Sequence, residues 1–254
     1  MKGIFIVKPL EYNLSADGEK WRQGEKIKGQ IIIKNHGSEK IELNHLNILL
    51  NVGMQKKVKV KNLGAFEKVL ANNLGEKISL GASEVKEFPF EFLLPEDGPI
   101  NDKDKSVYLL LSDNQDAWPL GMLELGVIPK KIIEDFLEIF KNFLRFKIGP
   151  IKYSKGMVEV KLTPPNSREL GHVESLVLRM IEVNKIVVME YIFTLLSFDM
   201  ASGNMLALKK TIQVDRSLTA KQYTIYGDSL NQEFLIAEFS GVIKEATPKF
   251  MTPK

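Results

Sequence analysis

Few residues of this sequence have the types and spacing needed for catalysis. Ser229 lies in a Gly-Asp-Ser-Leu segment, 227–230, and a serine can act as a nucleophile when a histidine base activates its hydroxyl. No histidine follows Ser229, because the three histidines are His36, His45 and His172. Gly, Asp and Ser also favour turns. The segment therefore predicts a turn, and a serine hydrolase that uses Ser229 is the disfavoured alternative.

The sequence predicts neither a metal site nor a cofactor site. The histidines lack the i, i+4 spacing of a helix-borne metal pair, and a chain without cysteine has no thiolate ligand. Residues 101–106 read Asn-Asp-Lys-Asp-Lys-Ser, and the interleaved lysines of this acidic loop oppose cation binding. The sequence shows no glycine-rich phosphate loop. We expect no metal, no cofactor, no catalytic residue and no enzymatic activity.

The most prominent charge cluster is the segment 56–61, which reads Lys-Lys-Val-Lys-Val-Lys. A strand would place Lys57, Lys59 and Lys61 on one face and the valines on the other. Such a patch is a candidate binding site for the acidic tail of a partner protein or for anionic lipid. The alternative is a solvated edge strand whose lysines prevent sheets from pairing. The candidate partner-binding residues are Lys56, Lys57, Lys59 and Lys61.

Length and composition indicate a globular protein with one large domain or two small ones. The 254 residues are 44% apolar and 26% charged, which argues against disorder. The net charge of +3, from 35 basic and 32 acidic residues, is too small to indicate nucleic-acid binding.

Targeting and membrane signals are weak as well. The apolar run at 4–7 is too short for a secretory signal, and the stretch 186–198 is interrupted by Glu190 and falls below the ~20 residues of a membrane span. The absence of cysteine fits a reducing compartment. We therefore expect a cytoplasmic protein without a transmembrane segment.

Most of the chain has the pattern of short strands separated by turns rich in Gly and Asn. Their spacing of roughly 8–12 residues predicts β-sandwiches rather than alternating strands and helices. Pro89, inside a run of alternating phenylalanines, predicts an edge strand or a bulge. Residues 173–183 fit a strand or a helix, and 200–204 predict a hairpin turn. The predicted strands cover residues 27–35, 46–52, 56–61, 84–94, 106–112, 157–162, 186–198, 205–214 and 234–242.

One segment, 129–147, has the apolar period of an amphipathic helix. Pro129 suits its first turn, and acidic residues come early and basic residues late, which matches the helix dipole. Because the segment lies near the middle of the chain, we interpret it as a connector between two domains. The alternative is a helix that binds a partner or a membrane surface. The side chains predicted to pack between the domains are Ile132, Phe136, Leu137, Phe140, Phe143 and Leu144.

Two segments resemble the N-terminal domain of arrestin-like proteins. Residues 24–31 read Gly-Glu-Lys-Ile-Lys-Gly-Gln-Ile, and residues 87–95 read Glu-Phe-Pro-Phe-Glu-Phe-Leu-Leu-Pro. They stand in the order and at the distance typical of that family. Residues 80–82 (Leu-Gly-Ala) and 106–108 (Ser-Val-Tyr) extend the resemblance, which covers 20–112. The family includes a bacterial sporulation-control branch and a retromer-subunit branch.

The resemblance implies an all-β fold with two arrestin-like β-sandwich domains joined by one amphipathic helix. The N-terminal sandwich would cover 1–126, the helix 127–149 and a C-terminal β-rich sandwich 150–254. Three features depart from the family pattern. Gln23 replaces the usual proline, the second half lacks a second Gly-Glu opening, and the helix at 129–147 is longer than the usual link between the domains.

The resemblance also implies a function without catalysis. The expected role is an adaptor or scaffold that binds a partner protein through the edges or grooves of its sandwiches. A structural subunit of a larger assembly is the alternative. The sequence does not identify the partner or the oligomeric state.

Overall fold

The computed structural model describes residues 1–113, 117–168, 170–199, 206–226 and 229–247. The chain divides into two compact units, Met1–Ile128 and Pro129–Lys254. The predicted β-rich fold with two domains is confirmed. The hairpin turn predicted at 200–204 lies outside the described residues.

The first unit is a sandwich of a four-stranded and a five-stranded sheet. Its strands are β1 (Lys2–Val7), β2 (Leu10–Ala16), β3 (Lys20–Arg22), β4 (Lys26–Asn35), β5 (Ile41–Met54), β6 (Phe66–Leu80), β7 (Val85–Leu93), β8 (Lys105–Ser112) and β9 (Gly121–Ile128). The strand orders are β1-β2-β4-β7 and β3-β9-β8-β5-β6. A short helix α1 (Gln55–Lys59) and a 3₁₀ turn (Leu63–Ala65) connect β5 to β6. Pro89 lies in β7, an edge strand, as predicted.

The alternation of side chains along the strands builds the core of this sandwich. In β2, for example, Leu10, Tyr12 and Leu14 are buried, because side chains two residues apart share one face of a strand. The intervening side chains of β2 are only half-buried. The same period of two follows in β4, where Ile27, Ile31 and Ile33 are buried.

Close packing at Gly29 links the two segments of the arrestin-like resemblance. Gly29 of β4 is paired with Phe90 of β7. A Cβ atom at Gly29 would lie 2.5 Å from the ring of Phe90 and would also overlap the carbonyl oxygen of Ser15. Gly29, from the segment 24–31, and Phe90, from the segment 87–95, therefore form one close contact.

The second unit is a single antiparallel sheet, in its described part, with helices on one face. Its strands follow chain order: β10 (Lys147–Ser154), β11 (Met157–Thr163), β12 (Val173–Val183), β13 (Ile186–Asp199) and β14 (Leu206–Thr219). The helices are α2 (Lys131–Asn142), α3 (Ala220–Tyr223) and α4 (Gln232–Ala246). None of the described helices is long and apolar enough to cross a membrane.

Helices take the place of the second sheet expected in this half. Residues 234–242, predicted as a strand, lie in α4, so that prediction is wrong. Leu235, Phe239 and Val242 are buried at helical spacing. The side chain of Asn231 caps the helix by accepting a hydrogen bond from the backbone N–H of Phe234 at 3.2 Å. The ambiguous segment 173–183 forms β12.

An aromatic cluster lies between α2, α4 and the sheet. The rings of Phe140 and Phe239 stack at a centroid distance of 4.7 Å. Phe136 meets Phe239 and Tyr223 edge-on at 5.5 and 5.7 Å. Tyr191 of β13 lies 6.4 Å from Phe140 and from Phe239. Helix α2 thus packs within the second unit.

Helix α2 is shorter than the predicted segment 129–147. It ends at Asn142, and the chain reverses through Arg145, whose φ is 61°. Strand β10 then begins at Lys147. The helix therefore leads directly into the sheet on which it packs.

Candidate functional site

The predicted lysine cluster lies in the connection 55–65 between β5 and β6, which we call the lysine loop. Its first part is helix α1 rather than a strand, so the strand predicted at 56–61 is wrong. Gln and Lys are strong helix formers, whereas strand preference depends on neighbouring strands. Six alternating residues at the turn of a hairpin have no such neighbour. The valines and lysines consequently do not occupy two faces of a sheet.

The loop is fixed by its own hydrogen bonds and by packing at its base. The backbone N–H of Asn62 donates to the carbonyl oxygen of Lys57 at 3.0 Å. The side chain of Asn62 accepts from the N–H of Gly64 at 2.8 Å. At the base, Phe66 meets the ring of Tyr108 edge-on at 5.7 Å. A protruding loop is thereby held on a packed platform.

The four lysines of the loop are exposed, and the segment 55–65 contains no acidic residue. Lys57 donates to the carbonyl oxygen of Gly64 at 3.4 Å. Within the described part of the chain, no ion pair involves the four lysines. The loop therefore presents four positive charges to solvent. They are Lys56, Lys57, Lys59 and Lys61.

Two large apolar side chains are exposed among these charges. Val60 is 73% exposed and Leu63 is 64% exposed. Val60 stands between Lys59 and Lys61 in the chain. The loop thus combines positive charge and apolar surface at one protruding site.

The neighbouring turn 101–105 carries no net charge. The N–H of Gln55 donates to the carbonyl oxygen of Asp104 at 2.9 Å, so this turn lies beside the lysine loop. It carries two aspartates and two lysines, and Lys103 pairs with Asp104 at 3.9 Å. The turn leaves the positive charge of the loop uncompensated.

A second surface, the free edge of β1, was not predicted from the sequence. Strand β1 is at the end of its sheet, and among the described strands it pairs only with β2. Ile4 is 58% exposed and Ile6 is 66% exposed. The sequence signal was the apolar run at 4–7, but its exposure depends on the strand order, which sequence does not reveal.

Other sheet edges carry features that oppose the addition of a further strand. Strand β7 contains Pro89, and β10 contains Pro150 together with a register shift. The edge of β14 carries the exposed lysines Lys209 and Lys210. Proline removes a backbone donor, and charge discourages pairing. Between Gly3 and Val7, strand β1 has neither a proline nor a charged residue.

The side chains predicted to pack between domains differ in burial. The ring contacts of Phe136 and Phe140 lie within the second unit. Phe143 is 48% exposed. The buried members are Phe136, Leu137 and Phe140, and the half-buried or exposed members are Ile132, Phe143 and Leu144. A role in packing between the domains stays a prediction.

Ser229 is exposed, and its carbonyl oxygen accepts a hydrogen bond from the N–H of Ile225 at 2.8 Å. Gly227 and Asp228 of its motif lie outside the described residues. Ser229 and His172 belong to the second unit, whereas the other two histidines belong to the first. The structure gives Ser229 and His172 no hydrogen bond to each other.

The two histidines of the first unit are also separate. His36 lies 2.9 Å from a carboxylate oxygen of Glu11. The hydrogen bond from Asn13, followed by that from His36, lowers the pKa of Glu11. His45 is exposed within β5. Among the described residues, no three metal-ligating side chains converge on one point.

Comparison with known proteins places these features in context. Residues 13–115 match the SpoOM protein family, Spo0M. This match lies within the first unit and includes both segments of the arrestin-like resemblance. It concerns the sporulation-control branch rather than the retromer-subunit branch.

The chain is also similar in structure to Spo0M, the sporulation control protein from Bacillus subtilis. The TM-score is 0.65 with 14% identity, over 94% of this chain and 100% of that chain. At this identity the similarity concerns the fold, and it extends over both units. No curated protein matches the sequence.

Two further structures are similar over less than half of the chain. The alkylpurine DNA glycosylase AlkC from Pseudomonas fluorescens, bound to DNA containing an abasic site analog, has a TM-score of 0.30 and 15% identity, over 46% of this chain and 30% of that chain. A β-glucosidase from Listeria innocua has a TM-score of 0.29 and 16% identity, over 48% of this chain and 16% of that chain. Neither similarity bears on function.

Proposed function

We propose that the protein is a cytoplasmic, non-catalytic regulatory adaptor of the sporulation-control type, which binds a partner protein at the free edge of β1. The observation that carries this proposal is an unprotected edge strand with exposed isoleucines at positions 4 and 6. The Spo0M family match over 13–115 and the shared fold of the sporulation control protein support a regulatory role.

The binding mode is strand addition. An extended segment of the partner pairs its backbone with the N–H and C=O groups on the open side of β1, and its side chains contact alternate side chains of β1. Ile4 and Ile6 share one face with Lys2, since side chains two residues apart do so. The matching segment therefore has apolar residues at alternate positions and a carboxylate near one end.

The test is a double variant, Ile4→Lys/Ile6→Lys, which places charge on the edge. The matched control is Val85→Lys, which adds a lysine to an exposed aliphatic position on the opposite edge of the same sheet. Proteins from the native cell that crosslink to the wild type would be quantified by mass spectrometry for each variant.

We expect the specific partner to be retained by Val85→Lys and lost by the double variant. Recovery of the same partner at the same level by the double variant would show that β1 is not the binding edge. Circular dichroism of all three proteins confirms that the fold is intact, so that a loss of binding reports on the edge itself.

A further inference from the structure

The lysine loop is a surface distinct from the edge of β1, and strand addition does not account for it. It carries four exposed lysines, and within the described residues these form no ion pair. Val60 and Leu63 expose most of their side-chain surface on the same loop. Removing exposed aliphatic side chains from water is favourable, so an environment that offers both negative charge and hydrocarbon would suit this loop.

We propose that the lysine loop docks the protein on the surface of an anionic lipid bilayer. The lysine ammonium groups contact headgroup phosphates, and Val60 and Leu63 enter the interface between headgroups and acyl chains. A bilayer presents negative charge and hydrocarbon in adjacent layers, which is the combination that the loop complements. A peptide of acidic residues alone would satisfy the lysines but would leave both aliphatic side chains in water.

The base of the loop suits this role. The rings of Phe66 and Tyr108 pack beneath it, and a Cβ atom at Gly53 would lie 2.6 Å from Tyr108 and 2.9 Å from Phe66. The loop therefore rests on a tightly packed part of the sandwich. The adjacent turn 101–105 is balanced in charge, so it does not repel an anionic surface.

The expected affinity for an anionic membrane follows from the number of lysines in the loop. Each basic residue near an anionic membrane contributes about 1 kcal/mol, which is about fivefold in affinity. Neutralising all four should weaken binding by about 10³-fold. Because exposed charges are screened by salt, binding should also fall as ionic strength rises.

The experiment measures sedimentation of the full chain with two kinds of vesicle, one of phosphatidylcholine alone and one with 30% phosphatidylglycerol. An apolar variant, Val60→Ser/Leu63→Ser, removes the aliphatic contacts. A loop variant neutralises the four lysines: Lys56→Gln, Lys57→Gln, Lys59→Gln and Lys61→Gln. A control variant neutralises four exposed lysines of the second unit: Lys147→Gln, Lys161→Gln, Lys221→Gln and Lys244→Gln.

We expect the wild type and the control variant to bind the anionic vesicles and to ignore the neutral ones. The loop variant should lose about 10³-fold in affinity, as above, and the apolar variant about 10²-fold, because the burial of two aliphatic side chains is lost. Absence of wild-type binding to anionic vesicles would overturn the proposal, and so would equal binding by the loop and control variants.

A soluble polyglutamate peptide distinguishes an acidic protein segment from a membrane. Tighter binding of this peptide than of anionic vesicles, with no loss in the apolar variant, would overturn the proposal in favour of an acidic partner. Circular dichroism and tryptophan fluorescence of each variant show whether the fold is retained. None of these measurements involves β1, so their outcome is independent of the adaptor proposal.

Discussion

Replacing Phe140 with alanine should destabilise the second unit selectively. Phe140 is fully buried, stacks on Phe239 at 4.7 Å and meets Phe146 edge-on at 5.8 Å. Such a truncation in a core costs about 3–5 kcal/mol. For a unit spanning Pro129–Lys254, with an unfolding entropy of about 2.1 cal/mol/K per residue, a loss of about 4 kcal/mol lowers Tm by about 15 °C.

The distribution of tryptophan allows the two units to be followed separately. Both tryptophans, Trp21 and Trp118, belong to the first unit. Thermal unfolding followed by tryptophan fluorescence therefore reports the first unit, whereas far-UV circular dichroism reports both. We expect Phe140→Ala to lower the Tm of a transition followed by circular dichroism and to leave the Tm of the fluorescence transition unchanged.

Phe143→Ala is the matched control, because Phe143 follows the last turn of α2 and is about half exposed. Its truncation should cost about 1–2 kcal/mol, less than that of Phe140, since only about half of its surface is buried. Equal Tm values for the two variants would refute the aromatic cluster as the core of the second unit. An equal shift of the fluorescence transition would refute separate unfolding of the units.

Two further predictions concern the first unit. Gly29→Ala should destabilise it by about 1–3 kcal/mol, because the added methyl group overlaps Phe90 and the Ser15 carbonyl oxygen; an unchanged urea midpoint of tryptophan fluorescence would contradict this. Burial, reinforced by the charge of Asp113, raises the pKa of Tyr12 from 10.0 to about 12. The folded state therefore holds this proton more tightly than the unfolded state, so the stability from Tyr12 is complete below pH 10 and is lost as the pH rises to about 12. Tm measured by fluorescence should fall across that interval, and a constant Tm would exclude this contribution.

Local sequence patterns predicted the elements that local interactions determine. Helix α2 lies inside the predicted segment 129–147, because its apolar period and charge order are contained in one stretch. Helix α4 was not predicted, because the apolar residues of 234–242 are dense enough to fit both the period of a helix and the period of a strand. Leu235 and Phe239 are buried at helical spacing. This burial distinguishes a helix from a strand, but it becomes visible only once the sheet of the second unit, on which α4 packs, is known.

The two candidate surfaces differ in the same way: one depends on residues that are neighbours in the chain, and the other depends on segments that are far apart in the chain. Composition alone located the lysine loop, but its helical shape depends on where the hairpin turns. The edge of β1 follows from the order β1-β2-β4-β7, which results from pairing between distant segments. The pattern of residues 4–7 does not reveal that β2 is the one described strand that pairs with β1.

The order of elements in the second unit determines which of its surfaces are exposed during synthesis on the ribosome. The five described strands of this unit precede α4 in the chain. The apolar face around Tyr191 is therefore synthesised before Phe239, whose ring lies 6.4 Å from that of Tyr191 in the finished fold. Until then, α2 and the short α3 are the described helices that can shield that nascent face. Exposed hydrophobic sheet of this kind is prone to aggregate and is recognised by chaperones. The first half of the polypeptide, in contrast, closes its sandwich once β9 has emerged.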